Sequence, residues 1–274
     1  MPGIEKLAIN QATTREQWSL RQAIEGYAGH GITGISIWRD KLAECGVAEA
    51  AAMVKDHGLT VTGLCRGGMF PATDAPGLAR AIDDNRRAID DAAALGAQCL
   101  VLVAGGLPGA SRDIAGARAQ VRDGIAAILP HARAAGVALA IEPLHPMYAA
   151  DRACVNTMAQ ANELCDELGG GLGIAVDVYH VWWDPDLEAQ IARAGKDRIV
   201  GFHICDWLVP TGDMLLDRGM MGDGVIDIRK IRQWVEGAGY DGYHEVEIFS
   251  AQNWWKRDAD EVVRTCIARH GELC

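Results

Sequence analysis

No stretch of about 20 consecutive apolar residues occurs in this chain, so nothing in it reads as a membrane span. Nor does a charged-then-apolar leader open it. Basic charge is scarce: 26 Lys and Arg stand against 37 Asp and Glu, a formal net charge of −11. Phosphate backbones and anionic membrane surfaces are bound by clustered cations, so this balance argues against a general nucleic-acid or membrane role, though not against a small phosphorylated substrate. The eight cysteines form no CxxC pair and sit mostly in apolar or helical stretches, which predicts buried reduced thiols rather than a disulfide framework. A G-x-G-x-x-G after the first apolar run is also missing, leaving a nucleotide cofactor without support. These absences place the chain as a soluble, cytoplasmic protein acting on a small molecule.

What is present is a recurrence in the second half. Four short apolar runs each carry one metal-type ligand near the C-terminal end: Glu142 in VALAIEP, Asp177 in GIAVDVYH, His203 in IVGFHICD and Glu247 in HEVEIF. Successive residues of a strand point to opposite faces. Glu142 therefore shares a face with Ala138 and Ala140, Asp177 with Gly173 and Ala175, His203 with Gly201 and Cys205, and Glu247 with Glu245. The opposite faces carry Val137, Leu139 and Ile141, then Ile174, Val176 and Val178, then Val200, Phe202 and Ile204. Small and polar residues on one face and bulky apolar ones on the other suit strands covered by helices outside and looking into a shared interior. Three carboxylates converging there repel, by roughly 4 kcal/mol for a pair 4 Å apart at an effective dielectric of 20. Either a cation joins them or some are protonated. Three carboxylates and one imidazole suit one divalent ion of the Mn²⁺ or Mg²⁺ type better than a thiolate-based structural zinc.

Strand-like and helix-like stretches alternate along all 274 residues with no linker, repeat or low-complexity tract. KLAIN precedes a helical stretch from Thr14 to Tyr27, GITGISIW one from Val47 to His57, LTVTGLC one from Gly77 to Leu95, and CLVLVAG one from Ile114 to Ala135. Each ligand-bearing run precedes a further helix, the last from Ala259 to His270. Thr13 or Thr14, Asp184 and Asp227 read as helix starts, and Gly58, Gly96, Gly136 and Gly239 as left-handed residues just past helix ends. Eight strands, each followed by a helix, predict a parallel sheet. A closed (β/α)₈ TIM barrel as one domain over residues 1–274 accounts for both the count and the ligands at strand ends, with a doubly wound open sheet as the alternative.

With Glu142, Asp177-x-x-His180, His203 and Glu247 on strands five to eight, the chain resembles the xylose-isomerase-like TIM barrels, the sugar phosphate isomerase/epimerase superfamily. The nearest pattern is that of ketose 3-epimerases and hydroxypyruvate isomerases. That resemblance implies one divalent metal, Mn²⁺ foremost with Mg²⁺, Co²⁺ or Zn²⁺ as alternatives, held by the quartet, with Glu142 and Glu247 doubling as the acid/base pair. A metal on a carbonyl and its neighbouring hydroxyl stabilises the enediolate left when an α-proton departs, and a carboxylate on each side can remove and return that proton. Glu245 shares the face of Glu247 one layer deeper and is expected to support the site from below, as is Asp206.

Substrate contacts are expected at His180, which the family pattern places against substrate, and at Arg218. The latter opens R-x-x-x-G-D-G-V-I-D, which is similar to the loop after strand seven in hydroxypyruvate isomerases. His145, Trp183 and Arg66 join them, with Trp38, Arg39, Lys41 and Phe70 facing the same end of the barrel and Trp182 and Trp207 crowding its rim. Trp254 and Trp255 offer an apolar patch for a homo-oligomer contact.

Three other functions compete. An abasic-site endonuclease of the same scaffold needs histidines where this chain has Arg66, Ala104 to Gly106 and Asp217 to Gly219. A lyase or dehydratase on a keto-sugar or keto-inositol, including one that cleaves 3-keto-glycosides, begins with the same proton abstraction, and the metal quartet serves either outcome. A non-catalytic binding barrel predicts loss of one glutamate of the pair, and both are present.

Overall fold

In a computed structural model, which describes residues 2–274, eight parallel strands close into a barrel. They are β1 (Leu7–Asn10), β2 (Gly34–Trp38), β3 (Thr60–Gly68), β4 (Cys99–Val103), β5 (Ala138–Glu142), β6 (Leu172–Asp177), β7 (Ile199–Ile204) and, after a two-residue hairpin of β8 (Asp206–Trp207) and β9 (Arg218–Gly219), β10 (His244–Val246). Neighbours in the chain are neighbours in the barrel, and β10 pairs with β1 to close it through Leu7–His244, Ala8–Glu245 and Ile9–Val246. Helices cover the outside, as parallel crossovers require. Among the described residues no helix is long and apolar enough to cross a membrane.

Most residues facing the interior are small, which leaves room there for the longer ligand side chains. Cys65, Cys99, Val101, Ala140 and Ala175 form the inner cluster, with Trp38 and Ala138 leaning on it. Leu139, Ile141, Ile174, Val176, Phe202 and Ile204 belong instead to the larger layer between strands and helices. Val200 departs from strict alternation: the β6–β7 register shifts at Ile174/Ala175, and Val200 packs on the inner cluster. A bulge of this kind re-aims the residues that follow it.

Local chemistry explains most helix boundaries. Asp74, Asp113, Thr157, Asp227 and Asp258 each accept a backbone N–H from three residues on, satisfying donors that a helix start leaves orphaned. Gly96 and Gly136 end their helices at φ of 68° and 71°, where a side chain would be strained. The first helix differs from expectation. It spans Leu20–Gly29 under a capping box of Ser19 and Gln22, because Thr13 and Thr14 are engaged elsewhere. Thr13 Oγ1 donates to the Val246 carbonyl at 2.9 Å, and Thr14 Oγ1 meets the Tyr27 hydroxyl at 2.7 Å. Likewise Asp186, not Asp184, sits at the start of Leu187–Arg198. All eight cysteines are free thiols.

Candidate metal centre

Glu142 and Asp177 are the last residues of β5 and β6, His203 lies in β7, and Glu247 follows β10 by one position. Strand register and barrel closure bring these four buried side chains together, with one ligand atom from each lying within 4.8 Å of all the others. This is the only such group among the described residues. Three carboxylates and one imidazole form an oxygen-rich set that fits a divalent ion.

Two cationic side chains, His203 and Arg218, lie against these carboxylates. His203 Nδ1 meets Glu142 Oε1 at 3.1 Å and lies 3.9 Å from Glu247 Oε2, while its Nε2 is 3.6 Å from Glu245 Oε1. Burial alone would lower this imidazole, but Glu245, Glu142 and Glu247 outweigh burial and hold it well above its usual value. Arg218, also buried, donates from Nη1 to Asp177 Oδ2 at 2.8 Å and to Glu247 Oε2 at 3.1 Å. Burial would raise Asp177, yet Arg218, His180 and His203 keep it below its ordinary range. Glu247 goes the other way: burial first, and then Glu142, push its carboxyl up to about 8 despite Arg218. The excess of carboxylates shifts both the Glu247 carboxyl and the His203 imidazole toward their protonated forms, a balance that a divalent ion would fit.

Glu245 sits beneath. Its Oε1 accepts from Asn10 Nδ2 at 2.8 Å and its Oε2 from Thr62 Oγ1 at 2.7 Å. Asn10, the last residue of β1, also donates to Glu247 Oε1 at 3.0 Å and so spans both layers. Asp206 touches none of the four ligands. Its carboxylate accepts from the backbone N–H groups of Trp207, Gly222 and Ile226, tying down the loop that carries Arg218.

A cleft of about 440 Å³, taken out to its open mouth, lies over the quartet. Glu142, Glu247, His180, Arg218, Arg66 and Trp38 line it, together with Tyr148, Arg152, Leu144, Leu215 and Phe249. Arg218 Nη2 donates to His180 Nε2 at 3.1 Å, which leaves the proton of the neutral ring on Nδ1. Burial drives His180 down to about 3, so the ring is neutral, and its buried Nδ1 has no partner. The Tyr148 hydroxyl and Arg218 Nε are equally orphaned. Buried polar atoms of this kind call for a partner, such as an ordered water or a ligand group.

Other expected residues lie elsewhere. His145 stacks on Trp207 at 4.9 Å between ring centroids and meets Trp183 edge-on at 5.9 Å, forming an aromatic rim outside the cleft wall. Arg39 is bound to Asp84, Lys41 to Glu44, and Phe70 is fully buried against Gly124 of an outer helix. Asn10, Thr62, Tyr148 and Arg152 escaped sequence reasoning. Asn10 alone carried a signal, as a polar residue closing the apolar run KLAIN.

Residues 24–266 match the family model described as xylose isomerase-like TIM barrel. The chain belongs to this family. Over 273 residues it is 26% identical to the inosose isomerase of Bacillus velezensis, covering 95% of this chain and 94% of that protein. Among solved structures, a protein of Sinorhizobium meliloti 1021 is 65% identical, with a TM-score of 0.98 and 99% of both chains covered. The IOLI protein, solved with a bound zinc atom, is 22% identical and shares the fold at a TM-score of 0.84, covering 98% of this chain and 97% of its own.

Proposed function

We propose that this family member is a divalent-metal-dependent isomerase or epimerase of a keto-sugar or keto-polyol. The observation that carries the reading is the buried quartet of Glu142, Asp177, His203 and Glu247, two of whose carboxylates also line the cleft. Its likeness to an inosose isomerase over nearly the whole chain supports the same class of chemistry. The four side chains would hold one ion, Mn²⁺ by preference; when bound, it would polarise a substrate carbonyl and offset negative charge as the α-proton leaves.

The remaining steps belong to the chain. Glu142 and Glu247 project from β5 and from beyond β10, so they approach a bound substrate from different directions, one removing a proton and the other returning it. Each such group contributes typically 10²–10⁴-fold in rate. Asp177, pinned by Arg218 and by the Tyr179 N–H at 2.8 Å, stays ionised and holds position. His180 and Arg218, from the cleft wall, orient hydroxyl and carbonyl oxygens. The aromatic and aliphatic rim excludes water from the charge that develops.

Incubating the metal-loaded protein with ketoses and keto-inositols in D₂O tests this directly. Deuterium at the α-carbon of a recovered isomer or epimer is the expected result. An unsaturated or cleaved product would assign the site to a lyase, and no exchange with metal bound would overturn both.

A further inference from the structure

Besides Arg218, four arginines line the cleft and the pocket that adjoins it at Trp38, Cys65 and Arg66, and they are not treated alike. Arg15 pairs with Asp40 at 2.6 Å and Arg39 with Asp84 at 2.8 Å. Arg66 and Arg152, which line the cleft itself, have no side-chain hydrogen bond and no carboxylate partner among the described residues, although the chain carries 37 acidic residues. Both line the same cleft, where burial first, and next the charge of Arg152, pull Arg66 below the ordinary arginine value. Two guanidiniums lining one cleft without a carboxylate partner are free to take an anionic group through their N–H donors.

Their backbones are fixed. Arg66 lies within β3, whose flanking residues pair with β2 through Cys65–Trp38 and with β4 through Gly67–Leu102. Arg152 sits in the loop after β5, its carbonyl accepting from Gly105 N–H at 3.0 Å and its N–H donating to the Tyr148 carbonyl at 3.0 Å. Its guanidinium carbon is 5.7 Å from the Tyr148 ring centroid, and the Tyr148 hydroxyl is among the orphaned atoms of the same wall. The cleft is thus polarised, with the Glu142 and Glu247 carboxylates on one part of its lining and two cations without carboxylate partners, Arg66 and Arg152, on another.

We infer that the substrate carries an anionic group, a phosphate or a carboxylate, seated between Arg66 and Arg152 while its keto end lies over Glu142 and Glu247. The inference rests on the isomerase reading for the keto end only; the anion subsite is tested by binding, without turnover. Guanidiniums hold both kinds of anion through paired N–H donors, and the net acidity of the chain makes such a local pair selective rather than part of a general basic surface.

The test uses D-fructose, D-fructose 6-phosphate and D-fructuronate, which differ at C6 alone, titrated calorimetrically into the metal-loaded protein, with inorganic phosphate as competitor. At least one anionic sugar is expected to bind tenfold or more tighter than D-fructose, and inorganic phosphate to weaken it. The phosphate or carboxylate form with the larger advantage identifies the natural group. Arg152→Gln, in a surface loop, and Arg66→Gln, in a strand, should each cut that advantage at least fivefold. Equal binding of all three sugars, an advantage that survives both substitutions, or no binding of any anion overturns the inference. Anion binding intact but no α-proton exchange on any keto-sugar would overturn the isomerase reading instead.

Discussion

Arg218 donates through Nη1 to Asp177 Oδ2 at 2.8 Å, and both side chains are almost wholly buried. The same nitrogen reaches Glu247 Oε2 at 3.1 Å, so one guanidinium partly neutralises two of the four proposed ligands before any ion arrives. Its face also covers the Tyr179 ring, 4.4 Å from the centroid, which fixes the plane of the fork. Removing one partner of a buried ion pair costs about 3 kcal/mol or more, because the other charge stays buried and unpaired. Arg218→Gln should therefore lower the Tm of the metal-free protein by about 6–12 °C. Saturating Mn²⁺ should restore part of that loss, since the ion takes over the same carboxylates. Thermal scans with and without the ion decide it; an equal loss in both states would mean that Arg218 and the ion do not share these ligands.

Glu245 in β10 and Glu247 just beyond it lie two residues apart on one face, and their environments assign them different work. Glu247 lines the cleft, whereas Glu245 has each carboxylate oxygen taken by Asn10 or Thr62. Glu247→Gln should reduce α-proton exchange by 10²-fold or more and weaken metal binding. Glu245→Gln should leave exchange within a few-fold and cost about 1–3 kcal/mol of stability, because its new NH₂ faces a donor where an acceptor stood. Exchange rates and denaturant midpoints for the two variants separate the assignments, and the opposite ranking would place the reacting layer one step deeper.

The quartet was legible because a period of two and strand-end placement are local properties. Each ligand sits at or just beyond the end of its own apolar run, and closing the barrel gathers such ends at one mouth. Parity alone put Glu245 and Glu247 on the same face, but their different surroundings depend on Asn10 and Thr62, 235 and 183 residues away from Glu245 in the chain. No local pattern encodes contacts at that separation. Arg152 and Tyr148 reach the cleft only because the loop after β5 is folded back by bonds to Gly105. The first helix begins late for a similar reason: Thr13 and Thr14 look like caps in sequence but spend their hydroxyls on Val246 and Tyr27.

Metal affinity should fall as the solution becomes more acidic. In the metal-free protein Glu247 is raised to about 8 and His203 lies well above its usual value, so both carry protons at neutral pH. An ion needs the carboxylate and the neutral imidazole, so binding must expel these protons. With both groups raised, the sign is fixed: affinity climbs with pH, about tenfold per pH unit for each proton displaced. Titrations of Mn²⁺ in buffers of different ionisation enthalpy count the protons; one ion per chain and one to two protons released at pH 7 are expected. A pH-independent affinity would show that another set of ligands holds the ion.

A second pH dependence is expected far from the quartet, where His244 of β10 and His270 of the last helix face each other with Nδ1 and Nε2 3.0 Å apart. Only one proton fits between those nitrogens, and both rings are buried. Burial first, and then Arg232 beside His244 and the neighbouring ring beside His270, lower each to about 4. The Glu236 carboxylate, 3.4 Å from His244 Nε2, does not reverse this. In the unfolded chain each ring takes a proton near pH 6.5. The folded state therefore binds fewer protons between pH 4 and 6.5; its stability is complete above 6.5 and is lost as pH falls through that window, by at most about 3 kcal/mol per ring. Urea midpoints of the wild type should drop between pH 7 and pH 5, and His270→Gln should show about half that drop from a lower starting point. A variant with an unchanged pH slope would place the acid sensitivity of the fold in other groups.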